Sequence, residues 1–222
     1  MVSPYEKNIN NEEKNALANL AVSLVENKTV IGLGSGSTIG FFLEHLALRM
    51  KEEKLELKFI ASSNKIAKQA KKLNLQLIEI EDVPFIDQAF DGADRVDLNS
   101  NLIKGGGGSL FRERQVLLKA EQRYILADSS KFTNSLLGQI IPLEIVPFNA
   151  SFTIKRIESL GYKIALRKDG DNNFITDNGN WIVDVSKQKS VSPADIYEQL
   201  KLISGVVEIG LFLNEDYHIL KT

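Results

Sequence analysis

The chain has 222 residues, 43% of them hydrophobic and 25% charged, and its 27 lysines and arginines against 29 aspartates and glutamates give a formal net charge of -2. That balance suits a globular protein of one domain, or of one domain with a smaller companion. It offers neither the basic stretch of a nucleic-acid binder nor an acidic tail for a basic partner. Cysteine is absent, which excludes disulfides, thiolate nucleophiles and cysteine-ligated metals.

Met1 to Asn11 is polar, without the apolar core of a signal peptide, and no run of roughly 18 apolar residues is present to span a bilayer. A cytoplasmic protein with no membrane partner is therefore expected. Asn10 or Asn11 is placed to cap a helix carrying Leu17, Leu20, Ala21, Leu24 and Val25 on one face. The apolar run Thr29 to Leu33 reads as a buried strand. Gly34-Ser35-Gly36-Ser37-Thr38 follows it, then a helix with Ile39, Phe42, Leu43, Leu46 and Met50 in register. Next come a strand at Leu57 to Ala61, a helix at Lys65 to Lys72, a strand at Leu75 to Ile80 and a strand ending at Ala89 to Asp91. The glycine run Gly105 to Gly108 leads into a helix over Leu110 to Lys119, with a strand at Tyr124 to Ala127. This alternation predicts an α/β domain, a mostly parallel Rossmann-like sheet with helices on both faces.

The texture changes after about Leu137. A strand at Ile141 to Pro147 precedes a helix at Phe152 to Leu160 that Gly161 can terminate. Strands at Lys163 to Arg167 and Trp181 to Ser186 follow, and Ser192-Pro193 opens a further helix with a serine cap and proline at its first position. These make a smaller α+β, ferredoxin-like domain. Gly205 to Leu213 and Tyr217 to Leu220 are strand-like and are expected to return to the first sheet. The predicted division is thus residues 1–137 and 205–222 against 138–204.

Three loops can carry chemistry. In Gly32-Leu33-Gly34-Ser35-Gly36-Ser37-Thr38, backbone N–H groups and a helix N-terminus can face a phosphate, or the loop is only a tight connection. Counting from Gly32, the sixth position is Ser37 rather than the glycine of a dinucleotide fingerprint, and no P-loop lysine is present. Asp91-Gly92-Ala93-Asp94 sets two carboxylates at the end of an apolar strand, where parallel sheets place ligands; the bland reading is an Asx-type turn. In Lys104-Gly105-Gly106-Gly107-Gly108 the four glycines are entropically expensive to order. Close approach of backbone to a ligand would justify them, with Lys104 meeting an oxyanion and Glu113 following early in the helix; otherwise the loop is flexible and Glu113 solvated. Lys131 after a strand reads as solvated or as a phosphate contact, and Thr176 to Asn180 as a hairpin turn. His45 and His218 lack further ligands at metal spacing, so neither a metal nor a cofactor is expected.

These segments, in this order, resemble the ribose-5-phosphate isomerase A family over essentially the full chain. The match runs through Gly34 to Thr38, DGAD at 91–94, KGGGG at 104–108, RE at 112–113, ADSSK at 127–131, IPLEIVPF at 141–148, TDNGN at 176–180 and GVVEIGLF at 205–212. Each motif alone is weak or moderate, whereas together in register they are specific. The resemblance implies interconversion of ribose 5-phosphate and ribulose 5-phosphate, without a metal, in the non-oxidative pentose phosphate pathway. It makes Glu113 the proton acceptor and gives Asp91, Asp94 and Lys104 the binding and orientation of the open-chain sugar. Lys131 and Ser35, Gly36, Ser37 and Thr38 hold substrate, the last four near the phosphate. Gly92, Ala93, Gly105, Gly106 and Gly107 complete the substrate-binding set. A homodimer or dimer of dimers is also implied.

One departure is Arg95, where the family usually has an acidic residue. It reads as a solvated neighbour or, more sharply, as an aid to phosphate attraction. Three other readings stand beside the isomerase. A sugar-phosphate sensor module would need the phosphate loop but no base. A nicotinamide oxidoreductase is disfavoured by the missing glycine, and coenzyme A transfer by a glutamate nucleophile would proceed through a thioester.

Overall fold

The computed structural model describes residues 10–187 and 191–222, so the reading of Met1 to Asn11 lies almost wholly outside the described residues. In chain order the elements are α1 (Asn11–Ser23), β1 (Val30–Leu33), α2 (Ser37–Glu53), β2 (Lys58–Ala61), α3 (Asn64–Lys72) and β3 (Ile86–Gly92). They continue with β4 (Arg95–Val96), β5 (Leu102–Ile103), α4 (Leu110–Leu118), β6 (Ala120–Leu126), β7 (Ile141–Ile145), α5 (Ala150–Ser159) and β8 (Lys163–Leu166). The last are β9 (Lys168–Asp169), β10 (Asn172–Asn173), β11 (Trp181–Ser186), α6 (Pro193–Lys201), β12 (Val206–Ile209), β13 (Leu211–Phe212) and β14 (His218–Leu220). Among the described residues no helix is long and apolar enough to cross a membrane.

Two compact units share these elements. The first comprises residues up to Ala93, Arg112–Phe132 and Asp216–Thr222; the second comprises Asp94–Phe111 and Thr133–Glu215. In the first, five strands in the order β14-β6-β3-β1-β2 form a sheet whose pairs are all parallel. Ile31 and Leu33 of β1 and Phe90 of β3 meet Ala18 and Ala21 of α1, Phe42 and Leu46 of α2 and Ile66 of α3 in one core. The rings of Phe42, Phe90 and Tyr124 stack in series, with centroids 4.6 and 4.9 Å apart. Burying each phenylalanine contributes about 2 kcal/mol, and each ring pair ~1 kcal/mol more. On the opposite face Gly32 sits under Val116 of α4, so helices cover both sides, as in doubly wound folds. Leu75 to Ile80 departs from the expected strand: it contributes one isolated bridge, Phe59 to Leu77, and then a 3-10 turn from Ile80 to Asp82.

The second unit contains an antiparallel sheet ordered β12-β7-β11-β8. With α5 between β7 and β8 and α6 between β11 and β12, the arrangement is ferredoxin-like. One face packs Leu143, Ile145, Val183 and Val185 against Ala150, Ile157, Ile196 and Leu200. Alternation along the strands sends Glu144, Asp184 and Glu208 to the other face. A β9–β10 hairpin and a three-stranded sheet, β13-β5-β4, complete the unit.

The division thus falls elsewhere than at 137/138 and 204/205. Leu211–Phe212 pairs with Leu102–Ile103, and Val206–Ile209 pairs with β7, so of the two C-terminal runs only His218–Leu220 returns to the first sheet. The hydrophobic pattern of a strand specifies a buried face but not a partner.

Candidate active site

In the first unit the chain leaves β1 towards β2 on one side, whereas β3 is followed by β6 on the other. The carboxyl ends of β1 and β3 therefore flank a topological switch point, the crevice where open α/β sheets bind ligands. Gly34 follows β1 and donates its N–H to the Phe90 carbonyl at 2.8 Å. A Cβ on Gly34 would overlap the Asp91 carboxyl group, so the glycine is what lets Asp91 occupy this corner. Asp91 is buried, and its Oδ1 accepts the N–H groups of Ser35 and Gly92 at 3.1 and 2.7 Å. The Ser35 hydroxyl donates to Oε1 of Glu113, which stands in the first turn of α4 and is only 3% exposed. Ser35, Asp91 and Glu113 are thus joined by hydrogen bonds, with Gly92 and Ala93 continuing from β3.

Gly36 turns the chain into α2 with φ of 100°, a conformation that disfavours a side chain, and no side chain caps the helix. Ser37 and Thr38 therefore begin a helix whose first N–H groups can hold an anion.

Lys131 ends a 3-10 turn after β6 and bonds back to the Asp128 carbonyl at 3.0 Å. Burial works to raise the Asp128 carboxyl. The Ser130 hydroxyl, the Asn10 amide, the Lys131 charge and the Ser130 N–H outweigh it and hold the group below the usual carboxylate range. Asn10 precedes α1 as expected, but its side chain goes to Asp128 at 3.1 Å instead of capping the helix. Glu13 receives the N–H and hydroxyl of Ser129, so α1 is clasped to this loop twice. The clasp brings in Lys14, which the sequence reading did not single out. Lys14 is buried, and that burial lowers its pKa; the Asp128 charge opposes the shift and Lys131 reinforces it. In the sequence Lys14 is one more lysine on a polar stretch, and only its position toward the core side of α1, three residues before Leu17, sets it apart.

The second unit holds the other expected residues. Asp94 donates its N–H to the Ile103 carbonyl and accepts the Gly106 N–H on Oδ2 at 2.7 Å. Lys104 is 2% exposed, its N–H bonds to the Gly210 carbonyl at 2.9 Å, and its ammonium lies 5.7 Å from the centre of the Phe212 ring. Gly105, with φ of 103°, packs against Leu110 and Pro142, and a turn closes from the Gly108 N–H to the Gly105 carbonyl at 2.9 Å. Gly107 is the exposed member of the run. The glycine loop is therefore ordered by specific contacts, not the flexible loop of the bland reading. Arg95 is half-buried and donates to the Asp94 carbonyl at 2.7 Å.

Thr176 to Asn180 does more than turn a hairpin. The Thr176 hydroxyl and the amides of Asn178 and Asn180 all donate to Oε1 of Glu144, at 2.9, 3.0 and 2.9 Å, on a side chain with no exposure. His45 bonds Asn15 at 2.7 Å and His218 packs against Tyr124. Among the described residues no group of three or more histidine, cysteine, aspartate or glutamate side chains is disposed to hold a metal.

Residues 58–221 match the family of ribose 5-phosphate isomerase A (phosphoriboisomerase A). The chain is 43% identical over 196 residues to the ribose-5-phosphate isomerase A of Staphylococcus haemolyticus, covering 87% of this chain and 85% of that one. It is similar to the solved ribose 5-phosphate isomerase A of Methanocaldococcus jannaschii, with a TM-score of 0.86, 34% identity and 93% of both chains covered. It is also similar to the Plasmodium falciparum enzyme, with a TM-score of 0.88, 35% identity and coverage of 94% of this chain and 93% of that one. A further similar structure, at a TM-score of 0.88 and 30% identity over 95% of this chain and 94% of that one, is a D-ribose-5-phosphate isomerase in complex with phospho-erythronic acid.

Proposed function

The chain belongs to the ribose 5-phosphate isomerase A family, and from that membership we infer that it interconverts D-ribose 5-phosphate and D-ribulose 5-phosphate as a metal-independent aldose–ketose isomerase. The observation that carries the assignment of roles is the buried Glu113, held by the Ser35 hydroxyl at the switch point and joined through Ser35 to Asp91.

Isomerisation moves a proton from C2 to C1 through an enediolate. C2 is a weak carbon acid, so the reaction needs a fixed base and a fixed partner for the developing oxyanion. Glu113 removes the C2 proton and returns it to C1. As C2 loses its proton, negative charge collects on O1, and Lys104 supplies the positive charge that meets it. The proton on O2 must pass to O1 as the carbonyl moves from C1 to C2, and Asp91 is the relay. Asp94 orients the open-chain hydroxyls, with Gly92, Ala93, Gly105, Gly106 and Gly107 forming the backbone around the sugar. The phosphate is received by Ser35, Gly36, Ser37 and Thr38 at the start of α2, with Lys131 and Lys14 supplying positive charge. In this reading the enzyme acts in the cytoplasm, within the non-oxidative pentose phosphate pathway, as a homodimer or dimer of dimers. Light scattering on the purified protein decides the last point, a monomer contradicting it.

The test is conversion of ribose 5-phosphate to ribulose 5-phosphate by purified protein in EDTA, with Glu113→Gln alongside. The expected result is turnover by the wild type and a loss of about 10²- to 10⁴-fold in kcat for the variant, with KM little changed. A well-folded wild type that binds but does not convert the sugar would favour the sensor reading. Near wild-type turnover by Glu113→Gln would reject Glu113 as the base.

A further inference from the structure

Arg167 lies just after β8, and its guanidinium is divided between two tasks within the second unit. Nε and Nη2 donate to the two carboxylate oxygens of Asp184 in β11, at 3.0 and 2.5 Å. Nη1 donates to the carbonyl oxygens of Gly105 and Gly106, at 2.8 and 3.1 Å. The side chain is itself fixed. Its carbon centre lies 5.9 Å from the middle of the Phe174 ring, and that ring packs so closely on Gly108 that a Cβ there would collide with it. The Arg167 N–H bonds to the Ile182 carbonyl at 2.9 Å, and the Arg167 carbonyl receives the Phe174 N–H at 3.0 Å.

A trans peptide is planar, with its C=O and N–H pointing in opposite directions. Holding the Gly105 carbonyl therefore aims the Gly106 N–H away from Arg167, and that N–H does reach Asp94 at 2.7 Å. The same geometry applied one residue on aims the N–H of Gly107, the exposed glycine, to the side away from Arg167. Glycine side chains can offer no restraint of their own. The Gly105–Gly106 peptide is held also by Asp94 and by the Gly108 N–H, so it is the next peptide, between Gly106 and Gly107, whose direction rests on the Arg167 bond to its carbonyl. A guanidinium does this with a rigid planar fork, bridging a carboxylate and two carbonyls at once. A lysine ammonium on a flexible stem cannot reproduce that geometry.

We propose that Arg167, oriented by Asp184, is a positioning residue for the isomerase reaction: it locks the peptide planes of Gly105 and Gly106 so that the Gly107 N–H is presented to the substrate oxyanion, in the same loop as Lys104. This rests on the isomerase reading above. Arg167 touches no reacting atom; it acts through the loop. Loss of the fork leaves the Gly105–Gly106 peptide its bonds to Asp94 and from the Gly108 N–H but frees the Gly106–Gly107 peptide to rotate, and that rotation removes a donor from the oxyanion without removing substrate binding elsewhere.

The experiment measures kcat and KM for ribose 5-phosphate, and inhibition by phospho-erythronic acid, in wild type, Arg167→Lys, Arg167→Met and Asp184→Asn. Thermal melts give the folded fraction of each. Phospho-erythronic acid carries a carboxylate at C1, so it places negative charge where the enediolate does. The expected result is a fall of about 100-fold in kcat for both Arg167 variants, with KM nearly unchanged. The inhibition constant should rise in step with the lost kcat, and Asp184→Asn should lie between wild type and Arg167→Lys. Wild-type kcat per folded molecule in Arg167→Met would overturn the proposal, as would a loss shared equally by KM and kcat with unchanged inhibition. Absence of conversion by the wild type is a separate outcome, which removes the reaction and this proposal with it.

Discussion

Replacing Gly34 by alanine tests whether the corner between β1 and β3 is as tightly specified as its geometry indicates. Gly34 needs no unusual φ, so the substitution carries no backbone strain and the whole effect comes from space. The added methyl would overlap Cβ, Cγ and Oδ1 of Asp91. Gly34 cannot withdraw, because its N–H is fixed to the Phe90 carbonyl at 2.8 Å. The Asp91 carboxyl must swing away, breaking its hydrogen bonds with the Ser35 and Gly92 N–H groups. Those two bonds contribute about 1 kcal/mol each, and residual overpacking costs ~1–3 kcal/mol, for a loss of about 3–5 kcal/mol. Activity should fall further, since Ser35 also fixes Glu113 and a displacement of ~1 Å in such an array costs about 100-fold. Urea denaturation and steady-state kinetics are the assays, with Gly138→Ala as the contrast. Gly138 has open space around it but a φ of 72°, so its replacement should cost only the ~1–2 kcal/mol of a left-handed residue and leave kcat intact. A Gly34→Ala protein with wild-type stability and kcat would show that Asp91 does not depend on this corner.

Glu144→Ala should be among the most damaging substitutions away from the isomerase residues. It leaves the Thr176 hydroxyl and the Asn178 and Asn180 amides without their shared acceptor, at ~1 kcal/mol or more each, and adds a cavity. A drop in unfolding free energy below about 1 kcal/mol would refute the role given to that carboxylate. Ser130→Ala reports on Asp128, whose pKa is depressed in the folded protein despite its burial. A depressed carboxylate adds stability above its unfolded pKa of about 4, and that stability is lost as pH falls through the lower folded value. Ser130→Ala should therefore be less stable than wild type at pH 7, and the gap should close as pH falls through the depressed folded value of Asp128; in urea titrations, a gap that stays constant to the acid limit of the folded state would contradict the assignment.

Much of the first unit was legible because its signals are local. The apolar run before Gly34, the period of α2 and the position of Asp91 at a strand end each follow from a few neighbouring residues, and Glu113 could be placed early in α4 from the glycines before it. Ser192 capping α6 through the Asp195 N–H at 3.1 Å was likewise readable from serine followed by proline. What could not be read depends on partners distant in sequence. The pairing of Val206–Ile209 with β7 looks no different along the chain from pairing with the first sheet, and so the division of units came out elsewhere. Leu75 to Ile80 has the apolar content of a strand but contributes one bridge. Lys14, Arg167 and Glu144 look like ordinary surface charges until the fold buries or engages them. Each gains its meaning from a hydrogen bond or a charge on an element that no sequence period connects to it.

The sheet of the first unit has a bearing on how the protein is made. β6 pairs with β3 on one side and with β14 on the other, and β14 is separated from β6 by all of α5, α6 and the ferredoxin-like sheet. During synthesis the ribosome must read through His218 before the outer edge of β6 meets its partner. Until then Tyr124, Ile125 and Leu126, the apolar end of the strand, present unpaired backbone groups along its outer edge, a template on which nascent chains can join edge to edge. The short segment His218–Leu220 thus guards solubility at birth, and a tag or truncation that delays its docking would be felt first as aggregation in the cell rather than as a slower enzyme.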